Sequence, residues 1–534
     1  MDRGREASMQ GHRAEPFLAP ERTLIALTGP LPPHRLVREG GSLGPERESD
    51  MKMLIDGQWV DASDGKTLEI RNPATGQRLG EVPLATKEDA QRAVEAAVRC
   101  KARMAQVPAH RRSKMLIEVA DRIEQQRDDL VRSLTLENGR PFSDINAWDI
   151  DVTIRVFRGF AEECRRMYGV TVPLDAYQGH ENSFALTTYQ PVGVIAAIVP
   201  FNYPVELWAH KAAAGLAAGN VVISKPPEEC PLTILRVAEF IEEAGFPAGA
   251  HQVLTGRGEV VGAFLAQAPG VDMITMTGSS EVGRSISKAA AATLKKVSLE
   301  LSGNDATIVM ESADPKVAAA ALVAGRFTHG NGQICCAVKR VILADKIYDQ
   351  VLDEVLALTH KLKIGDPIDP ATDVGPLISE AAAVRVETQL QKAKSDGATL
   401  LVGGGRQRNF IQPAVLVDVN IDSDAFQEEI FGPVLVVVRA FDIEHAIQLA
   451  NHSNFGLQAA IFTDDLQQAM NAALRIEAAT VIVNQASAMR VECLPFGGIK
   501  NSGNNREGMM TTLKEMTEIK TVIFNQAFNL YETH

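Results

Sequence analysis

Residues 327–340 read FTHGNGQICCAVKR. Adjacent cysteines, Cys335 and Cys336, stand between a glycine-rich turn and a basic pair. A thiolate in an electropositive setting, with a base and an oxyanion donor at hand, attacks carbonyl carbon. A buried cysteine is otherwise a small inert apolar side chain. A disulfide between direct neighbours would be strained, so both are read as free thiols. The local sequence does not choose between them. The glycines of HGNGQ suit a backbone held close to a ligand. Arg326 and His329, just before the pair, either set the electrostatics of a pocket or pack a helix.

A second group of residues could hold a nucleotide. TGSSEVG, residues 277–283, lies between a strand pattern and a helix pattern. Gly278 lets the backbone come close, and the amides of Ser279 and Ser280 would open a helix whose free N–H groups favour a phosphate. Glycine and serine are also ordinary capping residues. GRGEVVG, 256–262, offers similar close approach at Gly258. A GxGxxG fingerprint is absent after the first alternating strands. Lys225 ends the strand pattern of VVISKPPEE, where a lysine is usually a solvated charge. Glu228, three residues on, could take both hydroxyls of a ribose. A carboxylate there repels a 2′-phosphate, which points to NAD rather than NADP.

The elements that must position these residues follow from periodicity. GVIAAIVP, NVVISKP, HQVLTG, VDMITMTG and KKVSLELS read as strands between 193 and 302. Helix patterns separate them, and repeated β-then-α units predict a parallel, doubly wound sheet. Such sheets bind ligands at the carboxyl ends of their strands. A second alternating block runs from about 306 to 485 and includes ATIVM, AVLVDV, PVLVVVRA, AAIFTD and TVIVNQ. Residues 51–110 read as short strands and a helix, and 111–168 as mostly helical. EIKTVIFNQAFN reads as a strand with no partner nearby in sequence.

Bulk properties exclude several classes. With 534 residues the chain holds more than one domain. A net charge of −13 without a basic stripe argues against nucleic acid and anionic membranes as partners. The apolar run VGVIAAIVPF is too short to span a bilayer. Six sparse cysteines without CxxC predict neither disulfides nor a metal site, and suit a reducing, cytoplasmic setting. Residues 1–50 carry seven Arg against eight Asp and Glu, with no apolar period. They read as a disordered extension, with Met51 or Met53 as an alternative native start.

Seven segments now stand together: PFNYP (200–204), KPPE (225–228), TGSSEVG, LELSGND (299–305), NGQICC, EEIFGPV (428–434) and PFGGIKNSG (495–503). Their types and order resemble the aldehyde dehydrogenase superfamily over about residues 52–528. The resemblance is to its non-acylating, NAD-dependent members, nearest in look to lactaldehyde, glyceraldehyde, succinate-semialdehyde and phosphono-aldehyde enzymes. It implies an α/β fold with a Rossmann-like NAD domain (51–172 and 191–302), a catalytic domain (303–500) and a small oligomerisation β element (173–190 and 517–528). In that family the nucleophile follows G-Q-x, which makes it Cys335 and leaves Cys336 to packing. The resemblance further implies an oxyanion donor at Asn202 and a water-activating base at Glu300. Lys225 and Glu228 would hold the adenosine ribose, with Gly258 beside them. Ser279 and Gly278 would hold the pyrophosphate, and Glu429 the nicotinamide ribose, with Phe431 close by.

The reaction implied is oxidation of a small polar or anionic aldehyde to its acid, through a thiohemiacetal and a thioester on cysteine. Arg490 lies where relatives touch substrate, so it either forks onto an anionic group or makes an ordinary salt bridge. His329 is a second candidate there. A homodimer or homotetramer is expected, with the strand in EIKTVIFN completing a partner's sheet. Two alternatives stay open: a CoA-acylating semialdehyde dehydrogenase, against which Glu300 speaks, and a non-catalytic scaffold of the same fold.

Overall fold

The computed structural model describes residues 50–526. The expected extension up to residue 49, and residues 527–528 of the tail, lie outside them.

Five strands between 193 and 302 form one parallel layer, as the alternation predicts. The order is Lys296–Glu300, Met273–Thr277, Val194–Ile198, Val221–Lys225 and His251–Val253. Val194–Ile198 and Val221–Lys225 are buried throughout, because helices cover both faces of the sheet. Met53–Ile55 and Gln58–Val60 extend this sheet antiparallel at one edge, which the alternation alone did not reveal. The chain steps outward from Val194–Ile198 through two strands and then crosses back to Met273–Thr277 on the other side. The strand order thus reverses beside Val194–Ile198, and a crevice opens there at the carboxyl ends.

The second block forms another sheet of seven strands, in which Ala306–Val309 lies between the central strand Arg340–Ala344 and Gln458–Phe462. All its pairings are parallel except that of Thr399–Val402 with Ala414–Val417. Helices between 87 and 163 pack outside the first sheet. Lys87–Ala105 opens on a reciprocal capping box of Thr86 and Asp89. The long helical pattern over 111–139 breaks at Gln126 into Ala109–Gln125 and Arg127–Asn138, and Gly139 ends it with φ of 85°.

The strand expected to lack a nearby partner finds one in its own chain. Thr517–Phe524 pairs antiparallel with Phe184–Pro191 along its whole length, and Thr171–Pro173 adds a third strand. Sequence separation hid this pairing. Among the described residues no strand pairs with the outer edge of Thr517–Phe524, where Ile519 and Ile523 are each 63% exposed.

Candidate active site

Two cavities meet at the nucleophile candidate. A cleft of about 620 Å³ is lined by Gly278, Ser279, Glu300, Glu429 and Phe431. A narrow cavity of about 60 Å³ is walled by Trp148, Tyr203, His329, Arg490 and Phe496. Cys335 and Asn202 are the two residues that line both.

Local chemistry explains why Cys335 stands there. Gly330, Asn331 and Gly332 all take positive φ, at 59°, 53° and 74°. Asn331 Nδ2 donates to the carbonyls of Gly139 and Pro376, and its Oδ1 accepts from Gly375 N–H at 2.8 Å. A Cβ on Gly332 would lie 2.6 Å from the Gly432 carbonyl. This glycine therefore serves backbone-to-backbone contact with the segment carrying Glu429 and Phe431, not contact with a ligand as HGNGQ suggested. Arg326 is fully buried and donates to the carbonyls of Val434 and Ile430. It braces the same segment and lines neither cavity.

Cys336 is buried, its carbonyl accepting from Ser487 Oγ at 3.0 Å. The hydrogen bond from Cys336, followed by burial, pushes the Cys335 thiol well above its usual range. Lys339 opposes this. It is buried, donates to the carbonyls of Ile334 and Cys335, and lies 2.9 Å from Glu429 Oε1. The basic pair was visible in the sequence, but nothing local showed where its lysine would point.

Asn202 follows Val194–Ile198 by way of the turn at 199–201. Asn138 Nδ2 holds that turn by donating to the Phe201 carbonyl at 2.6 Å. Pro204 then begins the helix Pro204–Ala217 with its φ already set. Glu300 ends Lys296–Glu300, its carbonyl accepting from Gly278 N–H at 3.1 Å. The side chain is fully buried and neither carboxyl oxygen has a hydrogen-bond partner. Burial, then the nearby Cys335 and Glu507, push this carboxyl well above the ordinary range.

Arg490 lines the narrow cavity, yet its charge is already matched. Its guanidinium lies 3.1 Å from Glu507 and 3.5 Å from Glu206, over the Phe496 ring. Lys211 also pairs with Glu507, at 2.5 Å, and His210 stands 3.3 Å from Glu206. Burial alone would raise Glu507, but Lys211 and Arg490 outweigh it and hold that carboxyl at about 2. Arg490 is thus ion-paired to two buried carboxylates while it lines the narrow cavity. His329 sits against Trp148 with ring centroids 5.3 Å apart, and burial lowers its pKa.

The nucleotide candidates form two groups. Ser279 caps the helix Ser280–Ala290, its Oγ accepting from Val282 N–H at 3.3 Å, and lines the cleft with Gly278. Phe431 stands edge-on to Phe201 there, and Glu429 is beside it. Lys225, Glu228 and Gly258 gather separately, next to Glu229, which borders the cleft. Glu228 Oε1 accepts from Gly258 N–H at 2.7 Å and lies 3.6 Å from Lys225 Nζ. Burial lowers the Lys225 pKa. A carboxylate, an ammonium and a side-chain-free amide at strand ends fit the ribose of a dinucleotide, and the capped helix fits its pyrophosphate. Among the described residues no cluster of ligating side chains could hold a metal, and no helix is long and apolar enough to cross a membrane.

The chain is similar to known proteins along most of its length. The aldehyde dehydrogenase family model matches residues 59–522. A 3-sulfolactaldehyde dehydrogenase of Priestia megaterium is 38% identical over 473 residues, covering 89% of this chain and 98% of that protein. A lactaldehyde dehydrogenase of Methanococcus vannielii is 36% identical over 479 residues, covering 89% and 100%. The solved NAD+ complex of an aldehyde dehydrogenase from Bacillus cereus superposes with a TM-score of 0.86 at 34% identity, covering 89% and 97%. The chain belongs to the aldehyde dehydrogenase family.

Proposed function

We propose that this aldehyde dehydrogenase oxidises a small polar aldehyde to its carboxylic acid with NAD, using Cys335 as nucleophile and Glu300 as the base that activates water. The observation that carries this reading is that Cys335 and Asn202 stand where the large cleft and the narrow cavity meet. Bound NAD supplies the hydride acceptor. Lys225 and Glu228 would hold its adenosine ribose, Gly278 and Ser279 its pyrophosphate, and Glu429 and Phe431 its nicotinamide end. The Cys335 thiol gives up its proton to solvent and the thiolate attacks the aldehyde carbon, while the Asn202 amide and the Cys335 N–H hold the oxyanion of the thiohemiacetal. Loss of hydride from that carbon leaves a thioester on Cys335. Glu300 takes a proton from water, whose oxygen attacks the thioester and releases the acid and the thiolate.

A cavity of about 60 Å³ supports a short substrate. The paired state of Arg490 favours a neutral hydroxyaldehyde over an anionic one. Its Nε has no partner, however, which keeps an anionic aldehyde as the second reading. Burial of Glu300 beside Cys335 supports water, not CoA, as acceptor. The outer edge of Thr517–Phe524, which pairs with no strand among the described residues, supports self-association as a dimer or tetramer. Six unpaired cysteines support a cytoplasmic setting.

The test is NADH formation with lactaldehyde, glycolaldehyde, succinate semialdehyde and a sulfonated lactaldehyde, with and without CoA. Cys335→Ala runs as the control. Turnover with the hydroxyaldehydes, absent in the control and indifferent to CoA, is expected. Turnover that requires CoA, or that survives in Cys335→Ala, refutes the reading.

A further inference from the structure

One buried lysine touches both the nucleophile's backbone and the carboxylate at the nicotinamide end. The backbone of Lys339 is fixed first. Its N–H donates to the Asp305 carbonyl at 3.2 Å, and its carbonyl accepts from Val436 N–H at 3.1 Å. These bonds seat it against two neighbouring chain segments, just before the strand Arg340–Ala344. An ammonium has three donors, and here all three find acceptors. They are the Ile334 carbonyl at 2.9 Å, the Cys335 carbonyl, and Glu429 Oε1 at 2.9 Å. We propose that Lys339 is a positioning residue for the reaction. It fixes the backbone of Cys335 and the carboxylate of Glu429 in one register, and supplies positive charge that favours the Cys335 thiolate. The inference rests on the reading of Cys335 as nucleophile given above.

The first effect is orientation. The Ile334 carbonyl and the Cys335 N–H belong to one planar peptide, so holding that oxygen aims the N–H, a proposed oxyanion donor. The Cys335 carbonyl fixes the next peptide plane, so the Cys335 Cα is held from both sides. Glu429 Oε1 also accepts from Gly303 N–H at 3.4 Å, which ties the same carboxylate to the segment after Glu300. The second effect is charge. The ionisable groups facing Cys335 are Cys336, Lys339, Asp305, Glu300 and Arg490. Burial raises both carboxyls, Asp305 to about 8, which limits their repulsion of a thiolate. Arg490 is shared between Glu206 and Glu507, whereas Lys339 is ion-paired to Glu429. Lys339 opposes the upward push on the thiol. A compact ammonium suits three acceptors converging on one point, as a planar guanidinium does not.

Alkylation of Cys335 by iodoacetamide across pH, read at that residue by mass spectrometry, tests the charge without aldehyde or dinucleotide. The thiolate is the reacting form, so the midpoint of the profile is the titration of the thiol. Lys339→Gln keeps a donor and loses the charge. It is expected to move the midpoint up by about one unit, which slows alkylation at pH 7 about tenfold. Lys339→Arg returns the midpoint toward wild type. Glu429→Gln leaves the ammonium unopposed and moves the midpoint down, so the test stands even where Lys339→Gln does not fold. With NAD and aldehyde, Lys339→Gln lowers the rate of the NADH burst about a hundredfold, the scale of a misplaced reacting group, and changes KM far less. A wild-type midpoint and burst rate in Lys339→Gln, or an unmoved midpoint in Glu429→Gln, overturns the role of Lys339. So does Lys339→Arg impaired as fully as Lys339→Gln. Wild-type turnover that survives complete alkylation of Cys335 overturns instead the reading of Cys335 as nucleophile.

Discussion

Glu300→Gln separates the two halves of the proposed reaction. The carboxamide keeps the shape of the side chain. Neither Glu300 oxygen has a hydrogen-bond partner to lose, so the fold is not the casualty. No neighbouring carboxylate can substitute: Glu507 is held at about 2 by Lys211 and Arg490, and Glu206 faces Arg490 and His210. Loss of a positioned general base costs about 10²–10⁴ in rate, or roughly 3–5 kcal/mol of barrier. Because attack by Cys335 precedes water, stopped-flow absorbance is expected to show a burst of NADH followed by a steady state slowed by that factor. The pH dependence carries the same signature. Glu300 acts only when ionised, and its pKa is raised, so wild-type deacylation speeds up as pH rises through that value. The Gln variant loses this limb. Stability moves the other way in sign. A raised carboxyl pKa gives a contribution that is full below the ordinary value of about 4.3 and is lost as pH rises through the folded value. The variant's Tm therefore falls less than wild type's on raising pH. A variant with wild-type kcat and no burst would refute the assignment of Glu300.

Lys339→Met removes the ammonium that serves the Cys335 carbonyl and Glu429 together. Breaking a buried pair costs about 3–5 kcal/mol, so thermal denaturation should show a large drop in Tm, with Lys339→Arg less affected. Ile523→Glu places a charge on the exposed three-stranded sheet. Light scattering is expected to show a smaller particle with an unchanged circular dichroism spectrum; an unchanged mass would remove this sheet from the assembly.

Much of this protein was legible from residue order, because the controlling physics is local. The alternation between 193 and 302 declared a parallel sheet, since strands covered on both faces read as continuous apolar runs. Ser279 announced a helix start through its own capping chemistry. Local physics did not choose between Cys335 and Cys336; the resemblance to the aldehyde dehydrogenase family marked Cys335, Asn202 and Glu300, which the fold gathers around one junction. Tertiary structure alone decided matters that depend on distant partners. No local signal pairs Thr517–Phe524 with Phe184–Pro191, because strand pairing is set by register between segments far apart in the chain. The fate of Arg490 turned on Glu206 and Glu507, and that of Lys339 on Glu429. Gly332 looked like room for a ligand until the Gly432 backbone arrived against it. A buried charge or a missing Cβ acquires its meaning from what packs against it, and only the folded chain specifies that neighbour.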